Sequence, residues 1–304
     1  MKYLYSTLFF LVILFAMAFQ SPKNNSDASP KLNEYLDISY ALEGEIASHL
    51  TQLNVVMPEG VDTPPVFLWI GGGAWAYVNR HKEMEICRNF AKKGIAVISV
   101  GHRLSPALIW PPKNEEGIKH PEHVKDVARA FRWAYQNADS FKFSKENIFI
   151  GGYSSGAHLA ALLTMDDRYL EELGLSTDLI RGCIPVAGGY DIPDYKQAMF
   201  IEDSTLIKTH INVVFGETME EQLDASPTSY LDSLETPMLS ISESYTYPFC
   251  KILEEKAIEA GFKNFQALNA HNLNHNTLWF NLRSEKESIY RNFIADFIHT
   301  NSKN

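Results

Sequence analysis

The chain has 304 residues, 45% apolar and 21% charged, an ordinary globular composition with enough apolar material for a sizeable core. Lys and Arg number 27 against 37 Asp and Glu, a formal charge of −10, which argues against nucleic acid or an anionic membrane surface as a partner. The three cysteines, Cys87, Cys183 and Cys250, sit in apolar stretches without metal-ligand spacing, so buried thiols are expected rather than a disulfide framework or a metal site.

The first segment differs from the rest. Lys2 precedes an apolar run from Leu8 to Phe15, and Ala16-Met17-Ala18 offers a small-x-small cleavage site. Residues 1–18 therefore read as a secretory signal peptide, with the mature chain beginning near Phe19 and a secreted or periplasmic location. The run falls short of the roughly 20 residues that span a bilayer, so no stable membrane span is expected. Residues 19–33, rich in Ser, Asn, Lys and Pro, read as a disordered leader. The remainder, 34–304, reads as one domain, without an internal repeat or a linker that would divide it.

Residues 34–53 suggest a weak leading strand region, and 53–58 a strand closed by Pro-Glu-Gly. The apolar run 65–70 ends in Gly71-Gly72-Gly73, as suits a strand buried on both faces. Met84, Cys87, Phe90 and Ala91 recur at helical spacing, with Gly94 as the stop, and 95–100 is the next strand. Val124, Val127, Ala128, Phe131, Ala134 and Tyr135 make one face of a helix over about 123–138. Residues 147–150 form a β-rich run, and an alanine- and leucine-rich helix begins at about Ser155. Strands follow at 183–187, 238–242 and 265–268. Ile252, Leu253, Ala257 and Ile258 predict a helix stopped by Gly261. Ile289, Phe293, Ile294, Phe297 and Ile298 predict the closing helix. Mixed signals over 191–235 predict loops and short helices above one end of the sheet. Alternating strands and helices imply an α/β fold, a mainly parallel sheet with helices on both faces and ligands at the carboxyl ends of the strands.

The junction at 147–163 carries the chemistry. Gly152-Tyr153-Ser154-Ser155-Gly156 is a G-x-S-x-G placed between a strand and a helix, where a serine can stand clear of the sheet edge as a nucleophile. The helix beginning near Ser155 directs free N–H groups at any negative charge that develops there. The glycine-rich turn after the 65–70 strand exposes further N–H donors. Gly72, Gly73 and Ser155 are the candidate oxyanion-hole residues. The alternatives for that turn are a tight strand-to-helix connection or a phosphate loop, although G-x-G-x-x-G is not satisfied. His275, after the last strand and before the closing helix, is placed to be the general base, with His271 as its competitor. His158, one turn past Ser154, reads as a structural histidine.

These segments resemble the α/β-hydrolases of the carboxylesterase and lipase group, including hormone-sensitive-lipase-like and kynurenine-formamidase-like enzymes. The resemblance runs from about Asn54 to the closing helix. Residues 69–75 resemble the family's His-Gly-Gly-x-Trp oxyanion loop, and 102–106 its Tyr-Arg-Leu-Ser-Pro segment. The blocks at 120–130 and 152–160, Tyr190-Asp191, Ala225-Ser226-Pro227 and His275-Asn276-Thr277 complete the set. What the resemblance implies is an α/β-hydrolase fold and an exported serine hydrolase that cleaves a small-molecule carboxylic ester, or an amide or formamide, through an acyl-enzyme. No metal or organic cofactor is implied.

Three positions depart from the family. Gly71 stands where it has histidine, His102 where it has tyrosine, and a gap-free reading puts Thr246 where an aspartate is expected. The acid of a Ser-His-acid set is therefore sought among neighbours. Glu243, after the penultimate strand, is the expected partner of His275. Asp191, after the preceding strand, is the alternative and the better candidate for a structural role. Without an acid in reach, the chain would run as a slow Ser-His dyad or be a catalytically impaired, hydrolase-fold binding protein.

Overall fold

The computed structural model describes residues 31–303 apart from 43, 45–47, 201, 202 and 233. The expected signal peptide and most of the leader lie outside the described residues. The first strand begins at Leu32, so Leu32 and Asn33 belong to it rather than to the leader.

Eight strands form one sheet: β1 (Leu32–Ser39), β2 (Gln52–Pro58), β3 (Val66–Ile70), β4 (Ala96–Val100), β5 (Ile148–Tyr153), β6 (Ile180–Val186), β7 (Met238–Glu243) and β8 (Phe265–Ala270). Their order is β1-β2-β4-β3-β5-β6-β7-β8. The pairs β1/β2 and β2/β4 are antiparallel, and every pair from β4 onward is parallel. The longer helices are α1 (Met84–Ala91), α2 (Glu122–Phe141), α3 (Ser155–Met165), α4 (Ile192–Phe200), α5 (Met219–Asp224), α6 (Tyr247–Glu259), α7 (His275–Arg283) and α8 (Ile289–Asn301). Among the described residues no helix is long and apolar enough to cross a membrane.

The central strands are apolar at every position because both faces are covered. On β3, Val66, Leu68 and Ile70 join the core beneath α2 and α3, while Phe67 and Trp69 point to the opposite face against α1. That alternation follows from the two-residue period of a strand. Phe67 packs edge-on to both Trp69 and Phe90. Truncating such a ring to alanine costs about 3–5 kcal/mol.

Two helix faces differ from expectation. On α6 the inward residues are Phe249, Cys250, Leu253 and Ala257, and Ile258 is 63% exposed. On α8, Ile294, Phe297 and Ile298 are buried, but Ile289 and Phe293 face outward. In each helix the buried stripe follows i, i+3, i+4, and the exposed apolar residues lie on its flank. Helix α7 was not expected. Its inward residues, Leu278 and Leu282, repeat at four-residue spacing over a stretch too short to stand out.

The three cysteines are free and buried. The region 191–235 forms short helices, as expected, with a π-helical turn at Ile207–Asn212 above the carboxyl ends of the strands.

Candidate active site

Ser154 sits at the turn from β5 to α3 with φ 54° and ψ −118°, a conformation that costs a non-glycine residue free energy. The neighbouring glycines allow it. A Cβ on Gly152 would come within 2.5 Å of Ile70 O, and one on Gly156 within 2.1 Å of the same oxygen. Strand β3 therefore passes so close beneath the turn that only hydrogen fits at both positions. Although Ser154 occupies the N-cap of α3, its hydroxyl makes no capping bond. It lies instead 3.0 Å from His275 Nε2.

His275 is the first residue of α7. A reciprocal capping box between Asn274 and Thr277 fixes that helix start. The Tyr153 hydroxyl donates to the His275 carbonyl, and the two rings pack 5.1 Å apart. Behind the imidazole, Nδ1 is 3.2 Å from Glu243 Oε1. Glu243 is the last residue of β7 and is fully buried. Its carboxylate also accepts the N–H groups of Tyr245 at 2.7 Å and Thr246 at 3.2 Å. Burial by itself would raise this carboxyl. The bonds from His275, Tyr245 and Thr246 outweigh burial and hold it below the ordinary glutamate value.

Asp191 lies elsewhere. Its carboxylate bonds Lys256 Nζ at 2.7 Å, Thr228 Oγ1 at 3.1 Å and the Asp194 N–H at 3.1 Å, anchoring the start of α4. His271 is exposed, and its carbonyl accepts the Ser244 hydroxyl. Thr246 stands at the N-cap of α6, where its main chain supports Glu243.

Gly72, Gly73 and Ser155 line the same cavity as Ser154, which measures about 770 Å³. A Cβ on Gly72 would lie 3.1 Å from the Ser154 Cβ, so the loop passes directly over Ser154. The loop itself is strained, with φ of 149° at Gly73, 50° at Ala74 and 57° at Trp75. Two N–H groups, of Ala76 and Tyr77, close onto the Gly73 carbonyl. Trp75 is buried, and its indole N–H donates to His158 Nδ1 at 3.3 Å. His158 Nε2 in turn donates to Ala225 O at 2.7 Å. Burial pushes this imidazole down to about 3, so it is a neutral tie between loop, α3 and the 191–235 segment. The other walls of the cavity include Tyr77, Trp110, Tyr195, Met199, Leu206, His210, Phe249 and Trp279. Among the described residues, no group of three or more His, Cys, Asp or Glu side chains is arranged to hold a metal ion.

Two contributors were not found in the sequence. Tyr153 reads there only as the variable position of the motif. Glu83, buried beneath the glycine-rich loop, carries no motif in the sequence. The signal that could have drawn attention to it is the missing side chain at Gly71.

The BD-FAE family model matches residues 53–244. Esterase LipC of Mycobacterium tuberculosis is 29% identical over 188 residues, covering 59% of this chain and 44% of the relative. Esterase LipQ of the same organism is 25% identical over 204 residues, covering 66% and 46%. The match thus spans less than half the length of either relative. Kynurenine formamidase of Danio rerio is 24% identical over 239 residues, 75% of this chain and 70% of the relative. Among solved structures, a truncated carbohydrate esterase from gut microbiota superposes with a TM-score of 0.73 at 20% identity, covering 91% of this chain and 98% of that one. That likeness shows the α/β-hydrolase fold.

Proposed function

The chain belongs to the BD-FAE family, and from that premise we propose that it is an exported carboxylic ester hydrolase working through Ser154, His275 and Glu243. The observation that carries the reading is the continuous hydrogen-bond path Ser154 Oγ to His275 Nε2 and His275 Nδ1 to Glu243, at the edge of a cavity of about 770 Å³. His275 Nε2 takes the Ser154 proton as Oγ attacks the acyl carbonyl. Glu243 keeps the Nδ1–H tautomer and stabilises the imidazolium that forms. The main-chain N–H groups of Gly72, Gly73 and Ser155 hold the developing oxyanion. His275 then returns the proton to the departing alcohol, and water attacks the acyl-Ser154 by the reverse path.

An amide or formamide would use the same groups, and the similarity to kynurenine formamidase makes an aryl formamide a necessary member of any substrate panel. The rival reading, a hydrolase-fold binding protein without catalysis, was motivated by threonine at position 246. Glu243, 3.2 Å from His275, counts against that reading. Labelling with a fluorophosphonate probe tests the proposal. Wild type should be labelled and Ser154→Ala should not. An unlabelled wild type that turns over no aryl ester would sink it.

A further inference from the structure

The space beneath Gly71 is not empty. A Cβ built on Gly71 would lie 2.8 Å from Glu83 Cγ and 3.1 Å from Glu83 Cδ. Glu83 thus fills the volume that a side chain at 71 would need. The residue is 3% exposed. Oε2 accepts the indole N–H of Trp69 at 2.9 Å, and the indole N–H of Trp279 lies 3.3 Å from Oε1 and 3.4 Å from Oε2. Trp69 is in β3, just before the loop that carries Gly72 and Gly73. Trp279 is on α7, one turn after His275. One carboxyl therefore bridges the strand that launches the oxyanion loop and the helix that begins with the general base.

A buried acid is costly unless its oxygens are hydrogen-bonded. Among the described residues no lysine, arginine or histidine pairs with Glu83 within 4.0 Å, and burial raises its carboxyl above the ordinary range. An apolar side chain could fill the volume but would accept neither indole N–H. What a carboxyl supplies is two acceptor oxygens for two indole donors that approach from different elements. Removing it leaves the buried N–H of Trp69, and the half-buried one of Trp279, without this acceptor.

We propose that Glu83 is a positioning residue for ester hydrolysis, holding the oxyanion loop and the His275 helix in register in place of a side chain at Gly71. The proposal rests on the esterase reading above. Glu83 is hydrogen-bonded to neither Ser154 nor His275 but lines the same cavity, so the split between kcat and KM separates an effect on the geometry of attack from one on substrate affinity.

The test measures kcat and KM on an aryl acetate for Glu83→Gln, Glu83→Ala and Trp279→Phe, and for Gly71→Ala in wild-type and Glu83→Ala backgrounds. Losses of register of this kind lower turnover by about 10- to 100-fold. The expected result is a kcat loss of that size in Glu83→Ala and smaller losses in Glu83→Gln and Trp279→Phe, each exceeding any change in KM. Gly71→Ala should cost less in the Glu83→Ala background, because the clash it creates is with Glu83. Trp279→Phe keeps an aromatic side chain but loses the donor together with the pyrrole half of the indole, so it is read alongside Glu83→Gln, which keeps the volume; a kcat loss in both decides the matter if Glu83→Ala does not fold. Unchanged kcat in Glu83→Gln and Trp279→Phe would overturn the proposal, as would a change confined to KM or a Gly71→Ala effect independent of Glu83. A wild type that neither turns over ester nor labels at Ser154 would instead sink the esterase reading, and this proposal with it.

Discussion

Glu243 Oε1 lies 3.2 Å from His275 Nδ1, and the same carboxylate is fastened by the N–H groups of Tyr245 and Thr246. Because Glu243 closes a buried strand, its side chain has little freedom, and the histidine is oriented by a fixed partner. Glu243→Gln would present an amide to Nδ1 and favour the wrong tautomer. We expect kcat to fall by about 10²- to 10⁴-fold with KM little changed. Turnover kinetics on an aryl ester decide this, and a variant with wild-type kcat would remove Glu243 from the mechanism.

Asp191→Asn should behave differently. It weakens the ion pair with Lys256, whose side chain is 42% exposed, so the loss is about 1 kcal/mol or less and appears as a lower melting temperature. Its kcat should stay near wild type. A collapse of kcat in Asp191→Asn would show that the acid has been assigned to the wrong residue.

Ser154→Ala and His275→Ala should abolish aryl ester hydrolysis, while His271→Ala should keep most of it. His271 is exposed and contributes its carbonyl to the Ser244 hydroxyl. A dead His271→Ala with intact folding would count against His275 as the base.

Stability should decline between pH 7 and 5. Burial pushes His158 down to about 3 and His210 to about 4 in the folded chain. Unfolded histidine titrates near 6.5, so the unfolded chain takes up protons first. The depressed folded values mean that stability is full above about 6.5 and is lost as pH falls toward the folded pKa, by about 2 kcal/mol per histidine at pH 5. Carboxylates held low, such as Glu243, act only below about 4.5, so the two windows are separable. Urea melts at pH 7 and pH 5 measure the difference; equal midpoints would contradict it.

Export is expected from Lys2, the apolar run and Ala16-Met17-Ala18. Amino-terminal sequencing of protein from the native host should find a chain starting near Phe19. Cytoplasmic protein retaining Met1 would refute this.

Much of this molecule is legible in its sequence because local rules and the final fold agree. The G-x-S-x-G at Gly152 to Gly156 places a strand, a turn and a helix at once, and the continuous apolar runs of β3 and β4 announce burial on both faces. The position of His275 follows from chain order. What stayed hidden depends on partners distant in sequence. Glu83 acquires meaning only when Trp69 and Trp279 converge on it. Ile258 and Phe293 carry the right chemistry for a buried face but lie on the flank of the buried stripe and are exposed. Spacing along one helix does not reveal how wide a stripe its neighbours cover.

Cys87, Cys183 and Cys250 give the chain three built-in clocks. Each thiol is free, and burial drives its pKa upward, to about 12 for Cys183 and Cys250. A thiolate therefore forms only when the surrounding structure opens, so the rate of labelling by a thiol reagent reads the frequency of that opening. The three lie in α1, β6 and α6 respectively. Cys250 belongs to the helix whose amino end holds the Glu243 carboxylate, while Cys183 sits in the centre of the sheet. Faster labelling of Cys250 than of Cys183 would mean that the acid's support loosens without unfolding the core, and no foreign probe need be introduced to see it.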